Sequence, residues 1–274
     1  MSAAPPVPPA SPPPLPAPPV LQLRGVSRQF PGGRVALADV DLCVREGEFV
    51  SLLGPSGCGK STVLRLASGL DEPSAGQVVR PASDDSPGFV FQDAALMPWA
   101  SARDNVALPL RLRGVPGGEV RARVDGALQA VGLADAAAAV PRELSGGMRM
   151  RASLARALVT RPRLWLLDEP FGALDEITRF ALNQMLLTLC QPGAAAAATV
   201  VFVTHSVYEA VFLSQRIVVM ARPGRVTEEI AVPAPYPRDA AWRAAPAFAA
   251  ACVAVSAALQ RASDLSEGTL GARA

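Results

Sequence analysis

The chain has 274 residues, of which 50% are hydrophobic and 18% charged, and its formal net charge is +2. This apolar content supports a folded core and excludes general disorder, while the net charge is too small for a protein held on nucleic acid by its overall field. The four cysteines form no CxxC pair and the one histidine is His205. The composition therefore argues against a cysteine zinc ribbon and a multi-histidine metal site.

The N-terminal segment, residues 1–20, contains ten prolines and no charged side chain. Because proline fixes φ and lacks a backbone donor, we predict a disordered, partly extended tail; a docking site for a proline-reading module is the alternative. The segment has no basic stretch followed by an apolar run, as a signal peptide would. The most apolar later stretch, 244–259, contains Pro246 and is too short to cross a membrane, so we expect no membrane span in this chain.

Short apolar runs bounded by turn residues predict buried strands in the ordered part, which begins near Val20 with an alternating run from Leu21. Residues 93–160 are expected to be mainly helical, and a helix over 239–261 is expected before a frayed end. Strands that alternate with helices indicate an α/β sheet with parallel strands. The predicted strands are 35–44, 49–53, 164–167 and 200–204, and a further helix is predicted at 61–69.

A glycine-rich turn between the second of these strands and the following helix fits G-x-x-x-x-G-K-[ST]. A strand before it and a helix after it are the context that this phosphate-binding motif requires. Its glycines let backbone N–H groups surround phosphates, and the helix adds its positive N-terminal end. Lys60 is expected to reach the β- and γ-phosphates, and Ser61 to bind Mg²⁺. The loop comprises Gly54, Pro55, Ser56, Gly57, Cys58, Gly59, Lys60 and Ser61, with Thr62 after it.

The apolar strand 164–167 is followed directly by two carboxylates, Asp168 and Glu169. An acid at the tip of such a strand can hold the shell of a magnesium ion, which suits Asp168. A second acid beside it can orient or deprotonate an attacking water, which suits Glu169. Alone, this pattern could be a strand with an acidic turn; together with the phosphate loop it indicates a nucleotide-hydrolysing site.

A second anion-binding helix start is predicted at Ser145, Gly146 and Gly147, within Leu144–Met148. Ser145 precedes Asp168 by 23 residues (168 − 145) in a chain that also carries the complete phosphate loop. This stretch resembles the LSGG signature of the ATP-binding-cassette (ABC) ATPases. The resemblance covers roughly residues 20–260, which is nearly all of the expected ordered part.

Four further residues match motifs of that family. Gln92 matches the Q-loop glutamine, which touches Mg²⁺ and the attacking water, and Asp175 lies in a stretch that resembles the D-loop of the dimer interface. His205 matches the switch histidine that contacts the γ-phosphate, and Phe30 resembles the aromatic residue that stacks on adenine. From the residues alone, Asp175 could simply cap a helix and Phe30 could belong to the core.

Several short stretches resemble one branch of the family, the bacterial importers of nitrate, sulfonates and taurine. Met150 departs from the family pattern because a glutamine is usual at that place, which puts its polar contact in doubt, and the proline-rich tail is not part of the pattern either. The stretches that carry the resemblance are Leu96–Trp99, Asn105–Val106, the signature ending in Met148, and Pro235–Arg238.

The resemblance implies an α/β fold, namely a P-loop NTPase of the ABC type with a mixed sheet core and a helical signature subdomain. The ATPase domain would span 21–238, with the helical subdomain at about 93–160 and a C-terminal helix and frayed tail at 239–274. ATP and Mg²⁺ would be the ligands. The implied catalytic residues are Lys60, Gln92, Glu169 and His205; the implied Mg²⁺ contacts are Ser61, Gln92 and Asp168; nucleotide contacts come from the loop, Phe30, Ser145, Gly146, Gly147 and Asp175.

The resemblance also implies partners and a location. Two copies would stack head to tail, with each ATP between the phosphate loop of one chain and the signature of the other. Transmembrane permease subunits and, indirectly, a periplasmic or lipid-anchored solute-binding protein would complete the assembly at the cytoplasmic face of the inner membrane, and no nucleic acid is expected. Because specificity resides in those other subunits, sulfonates, taurine, nitrate, similar small anions and heterocyclic vitamin precursors stay open as solutes.

Three alternative functions can be weighed against an importer subunit. A soluble ABC ATPase of DNA repair or translation usually carries long coiled coils, zinc modules or tandem cassettes, and none of these patterns is present. A kinase or GTPase would lack the signature and the switch histidine. A cassette that only binds ATP is disfavoured because the chain retains Lys60, Ser61, Asp168, Glu169 and His205.

Overall fold

The structure is a computed structural model that describes residues 18–80, 86–190 and 197–271, with side chains up to residue 266. Most of the expected proline-rich tail, residues 1–17, lies outside the described residues. The predicted end of that tail at residue 20 is slightly late, because the first strand begins at Pro19, which already pairs with Arg45 of the second strand.

The described residues form nine strands and eight α-helices. The strands are β1 (Pro19–Gln29), β2 (Val35–Arg45), β3 (Phe49–Leu53), β4 (Ala75–Val79), β5 (Gly88–Val90), β6 (Leu164–Asp168), β7 (Thr199–Val203), β8 (Arg216–Ala221) and β9 (Arg225–Ala231). The helices are α1 (Lys60–Ser68), α2 (Ala102–Leu112), α3 (Gly117–Ala130), α4 (Gly146–Leu158), α5 (Glu176–Cys190), α6 (Val207–Leu213), α7 (Ala240–Ala244) and α8 (Pro246–Gly271).

Two sheets organise these strands. The smaller sheet is antiparallel, in the order β2-β1-β4, and the larger has the order β5-β6-β7-β3-β8-β9. All neighbours in the larger sheet are parallel except β8 and β9, which makes it mixed, as expected. Because parallel strands end at the same edge, the residues that follow β3, β6, β7 and β8 are brought together there.

The central strand β3 is buried along its whole length and separates two apolar cores. Phe49 and Leu53 face the core formed with α2–α6 and α8, whereas Val50 and Leu52 face the core shared by the smaller sheet and α1. Successive side chains of a strand point to opposite faces, so the continuous apolar run 49–53 serves both cores at once. This packing fixes the position of the loop that leaves the strand at Gly54.

The helical region is shorter at its start than predicted, because residues 93–101 form turns and the first helix, α2, begins at Ala102. The helix expected over 239–261 is two helices, α7 and α8. They separate at Ala245 because Pro246, which has no N–H to donate, favours the first position of a new helix. The expected frayed end is also wrong for residues 262–271, which continue α8, since Ala262 and Ser266 are buried against the rest of the fold.

None of the helices within the described residues is long and apolar enough to cross a lipid bilayer.

Candidate active site

The edge where the parallel strands end carries a cleft of about 740 Å³. The phosphate loop follows β3, Glu169 lies just beyond β6, and His205 lies two residues beyond β7. Gln92, from the turn after β5, and Arg222, from the turn after β8, complete this side of the cleft. These four residues thus follow four different strands, and the sheet brings them together at one edge.

The phosphate loop keeps its shape through glycines that no other residue could replace without strain. At Gly59, φ is +102°, and an added Cβ would lie 2.5 Å from the carbonyl oxygen of Ala36. At Gly54 an added Cβ would lie 2.3 Å from the carbonyl oxygen of Met220. The backbone therefore passes very close to β2 and β8, as expected of a loop whose N–H groups must turn inward around an anion.

Lys60 is buried, and its Nζ donates to the carbonyl oxygens of Gly54, at 2.9 Å, and Pro55, at 3.2 Å. A buried ammonium needs such acceptors, and an arriving phosphate would compete with the carbonyls for the same donor. Cys58 lies beneath the loop with its Sγ 3.9 Å from the Lys60 Nζ. Burial raises the pKa of this fully buried thiol, so Cys58 acts as a small packing residue in the loop.

Ser61 and Asp168 form a pair of oxygen groups at the mouth of the loop, where the Ser61 Oγ donates to the Asp168 Oδ1 at 3.0 Å. Burial raises the pKa of Asp168, and the neighbouring Glu169 charge acts in the same direction. A nearby cation would relieve both effects. Within the described ranges, no three His, Cys, Asp or Glu side chains cluster as a metal cage. The Ser61 hydroxyl and the Asp168 carboxylate are oxygen groups, the ligand type that Mg²⁺ accepts beside phosphates and water.

Glu169 and His205 are in direct contact, with the Glu169 Oε1 2.6 Å from the His205 Nε2. Glu169 has a φ of +46°, which is uncommon for a residue with a side chain. Two backbone hydrogen bonds hold it there: its N–H donates to the carbonyl of Val203 at 3.0 Å, and its own carbonyl accepts from Gly172 at 3.2 Å. The carboxylate is therefore fixed between the ends of β6 and β7, beside the histidine.

Phe30 is half-buried at the rim of the cleft but is not among the residues that line it. The guanidinium groups of Arg28 and Arg34 lie over its ring, 5.0 Å and 4.9 Å from the ring centre. Arg34 is exposed and itself lines the cleft, so an adenine that stacks on Phe30 must displace or share the place of Arg34. The stacking role of Phe30 stays a prediction.

The signature and D-loop residues lie next to each other but away from this cleft. Ser145 caps α4, its Oγ accepting from the Met148 N–H at 3.2 Å, and Asp175 accepts from the Thr178 N–H at 2.9 Å at the start of α5. An added Cβ at Gly147 would lie 2.7 Å from the Thr178 Cγ2, so the two helix starts are packed together. Neither Ser145 nor Asp175 lines the cleft that contains Lys60.

One residue near the signature departs from the family pattern, and one polar network nearby was not predicted from the sequence. Met150, which stands where a glutamine is usual, is buried in the main core, so it makes an apolar contact there. A polar network behind His205 was not predicted: the hydroxyl of Thr204 donates to the buried carboxylate of Glu209, and Arg179 lies 3.8 Å from the same carboxylate. Burial raises the pKa of Glu209.

Arg179 links this network to the D-loop, because its guanidinium also donates to the carbonyl of Leu174 at 2.9 Å.

Two residues that line the cleft, Arg222 and Ser266, were also not predicted from the sequence. The parallel pairing of β3 with β8 sets the residue after β8 beside the phosphate loop. Because β8 was not predicted from the sequence, Arg222 was not expected there.

Comparison with known proteins gives consistent matches. The sequence model of the ABC transporter family matches residues 37–172. An aliphatic sulfonates import ATP-binding protein of Pseudomonas aeruginosa is 45% identical over 80% of this chain and 78% of its own length. A nitrate import ATP-binding protein of Synechocystis is 44% identical over 80% of this chain and 34% of its own length.

A third relative, a spermidine/putrescine import ATP-binding protein of Pseudomonas aeruginosa, is 45% identical over 77% of this chain and 59% of its own length. Among solved structures, a dimeric ATP-binding cassette in a post-hydrolysis state, bound to ADP and phosphate, superposes with a TM-score of 0.69. The two sequences are 34% identical, and the match covers 78% of this chain and 99% of the other.

Proposed function

Because the chain belongs to the ABC transporter family of ATP-binding proteins, we propose that it is the ATP-hydrolysing subunit of a bacterial importer. The observation that carries this proposal is the convergence of Lys60, Ser61, Glu169 and His205 on one cleft, with Asp168 bonded to Ser61. The import names of its relatives favour transport over DNA repair or translation as the purpose of the hydrolysis.

ATP binding would begin at the phosphate loop. The backbone N–H groups of the loop and the N-terminal end of α1 attract the phosphates, and Lys60 would exchange its two carbonyl acceptors for phosphate oxygens. Ser61, Asp168 and Gln92 would hold the accompanying Mg²⁺, which the Ser61–Asp168 bond and the position of Gln92 in the cleft support. When bound, this ion neutralises charge on the β- and γ-phosphate oxygens.

Hydrolysis depends on the fixed pair Glu169 and His205. The Glu169 carboxylate would polarise the attacking water, since its backbone is held at the end of β6 and its carboxylate contacts His205 in the cleft. His205, now bonded to Glu169, is placed to stabilise charge that develops on the transferred phosphoryl group. Lys60 would supply a positive charge to the same phosphoryl group.

The position of the signature residues supports a head-to-tail dimer as the working form. Ser145 and Asp175 are ready-made helix caps that lie away from the cleft of their own chain. In a dimer of the kind that the family resemblance implies, Ser145 of one copy would face the ATP held by the other. A similar cassette with bound ADP and phosphate is dimeric. Permease subunits would then receive the closing motion through the turns and helices of 93–150.

The solute is proposed only as a class. The motif resemblance to the nitrate, sulfonate and taurine branch supports a small anion, and two relatives carry sulfonate or nitrate in their names. The polyamine importer is equally similar in sequence, which fits the expectation that other subunits select the solute. Growth of a deletion strain on an alkyl sulfonate, taurine, nitrate or putrescine, restored by the intact gene and not by Lys60→Ala, would identify it.

The Glu169→Gln variant tests the proposed hydrolytic mechanism. The amide keeps the size of the side chain but cannot take a proton, so turnover should fall at least about a hundredfold while ATP binding survives. With chemistry blocked, an ATP-bound dimer should accumulate, which size-exclusion chromatography with light scattering would detect. The control is Glu119→Gln, which removes an exposed carboxylate that pairs with Arg123 far from the cleft. Near-normal turnover of Glu169→Gln would exclude the base assignment.

A further inference from the structure

Arg222 and the C-terminal helix α8 form a wall of the nucleotide cleft that no sequence motif marks. We propose that Arg222 is a positioning residue for the phosphate loop and that Ser266 of α8 holds it in place. ATP affinity would therefore depend on how α8 is seated on the fold. This proposal rests on the proposed function only in taking ATP as the ligand of the cleft.

The Arg222 side chain contacts the apex of the phosphate loop directly. Its Nε donates to the carbonyl oxygen of Ser56 at 3.0 Å, and a terminal nitrogen of the same guanidinium donates to the same oxygen. At Gly57, an added Cβ would lie 3.3 Å from that terminal nitrogen, so the guanidinium packs closely against the loop. Two donors thus converge on one acceptor of the loop.

This contact matters because of how the backbone of such a loop is oriented. When the N–H groups turn inward toward an anion, the carbonyl oxygens point outward and need other donors. Lys60 satisfies the carbonyls of Gly54 and Pro55, and an arriving phosphate would compete with these carbonyls for the same ammonium group. Arg222 binds the carbonyl of Ser56 from outside the loop, so its hydrogen bonds can persist while ATP is bound.

Helix α8 fixes the backbone from which Arg222 extends. The buried Ser266 Oγ accepts from the Arg222 N–H at 2.9 Å and donates to the carbonyl of Ala262 at 2.7 Å. On the opposite side, an added Cβ at Gly224 would lie 1.9 Å from the carbonyl oxygen of Ala36. The turn after β8 is therefore held tightly between α8 and β2.

A chain of contacts follows from these positions, leading from α8 through Ser266 and Arg222 to Ser56 and the loop. A displacement of α8 would break the Ser266 bond and free the turn, so the loop would lose its outer donor. The chemistry of hydrolysis, which depends on Glu169 and His205 at other strand ends, would be little affected. The expected signature is a change in ATP affinity with little change in the rate at saturating ATP.

The experiment measures ATP affinity by fluorescence of a trinitrophenyl-ATP analogue and by KM, together with kcat, on full-length variants. Arg222→Ala should raise the dissociation constant and KM about tenfold and change kcat less than about twofold, as expected for losing a charge-assisted hydrogen bond. Arg222→Lys, which retains the positive charge and a donor group but not the paired donors of the guanidinium, should recover part of the affinity. Ser266→Ala should shift affinity in the same direction by a smaller factor.

Arg261→Ala is the matched control, because Arg261 also lies on α8 but pairs with Glu228 at the surface, at 2.7 Å, away from the turn. It should leave ATP affinity unchanged. Wild-type affinity in both Arg222→Ala and Ser266→Ala, or equal losses in the Arg261 control, would overturn the proposal. If Arg222→Ala does not fold, Ser266→Ala, which removes one hydroxyl, still decides it. The binding readout does not require transport, so failure of the importer assignment would be seen separately.

Discussion

At the scale of single residues, the site depends on backbone conformations that only glycine tolerates. At Gly59, φ is +102°, and an added Cβ would clash with the backbone of Ala36 and the side chain of Leu37 in β2. Glycine has no Cβ and reaches such φ values at no steric cost. The motif is recognisable in the sequence because the geometry that surrounds phosphates restricts which residues can form the loop.

Gly59→Ala should lower the free energy of unfolding by about 2–4 kcal/mol, because it adds left-handed strain to a clash with Ala36. It should also abolish detectable ATP binding. Gly114→Ala is the comparison: φ is +69° there, and nothing lies within 4 Å of an added Cβ. That variant should lose about 1 kcal/mol and bind ATP normally. Urea unfolding and nucleotide fluorescence measure both quantities, and similar behaviour of the two variants would contradict the steric argument.

At the scale of elements, two helix starts of the same kind have different proposed purposes. Ser101 caps α2 and Ser145 caps α4, each accepting a hydrogen bond from the N–H three residues on. Such caps satisfy one of the N–H groups that a helix start leaves unpaired. Only Ser145 belongs to the signature, so the cap and the proposed contact with ATP of the partner chain can be separated by experiment.

Ser145→Ala and Ser101→Ala should each lower the free energy of unfolding by about 1 kcal/mol, the usual cost of losing a serine cap. Only Ser145→Ala should slow ATP turnover, because the signature would act on nucleotide held by the other copy. Binding of ATP to the monomer should be normal in both variants. An equal loss of turnover in the two would show that stability alone explains the effect and would remove the signature role.

The sequence predicts the elements around the site better than those at its periphery. The loop and the two carboxylates are recognisable because their chemistry fixes residue type and spacing, and His205 is recognised through the resemblance to the family. Buried strands such as β3 carry continuous apolar runs. The exposed strand β4 and the three-residue strand β5 have no such pattern, since pairing with neighbours forms them. Arg222 and Ser266 went unnoticed because they meet through pairing between distant parts of the chain.

At the scale of the whole molecule, α8 is part of the main core and not a surface addition. Phe248, Val255, Ala258 and Ala262 are buried in the same apolar cluster as the central strand. The opposite face of the helix is exposed, and Val253 there is 70% accessible. The C-terminal helix therefore contributes to the stability of the ATPase fold.

Val255→Ala should lower the free energy of unfolding by about 1.5–3 kcal/mol, because it removes two buried methyl groups and leaves a void. Val253→Ala is the same chemical change two residues earlier on the exposed face, and it should change stability by less than about 0.5 kcal/mol. Urea midpoints at constant slope measure the difference. A small effect of Val255→Ala would mean that α8 detaches before the core unfolds.

The order of strands in the larger sheet also constrains synthesis of the chain on the ribosome. Strand β3 lies between β7 and β8, and Phe49 pairs with Val200, 151 residues later (200 − 49). At about 5–20 residues per second, the ribosome needs roughly 8–30 s to make that partner. During this interval the nascent chain holds an apolar strand with both edges unpaired, which is a template for aggregation. Strand β3, which leads into the phosphate loop, is synthesised early but pairs with its neighbours late. We therefore expect efficient production of this protein to depend on chaperones that shield nascent strands.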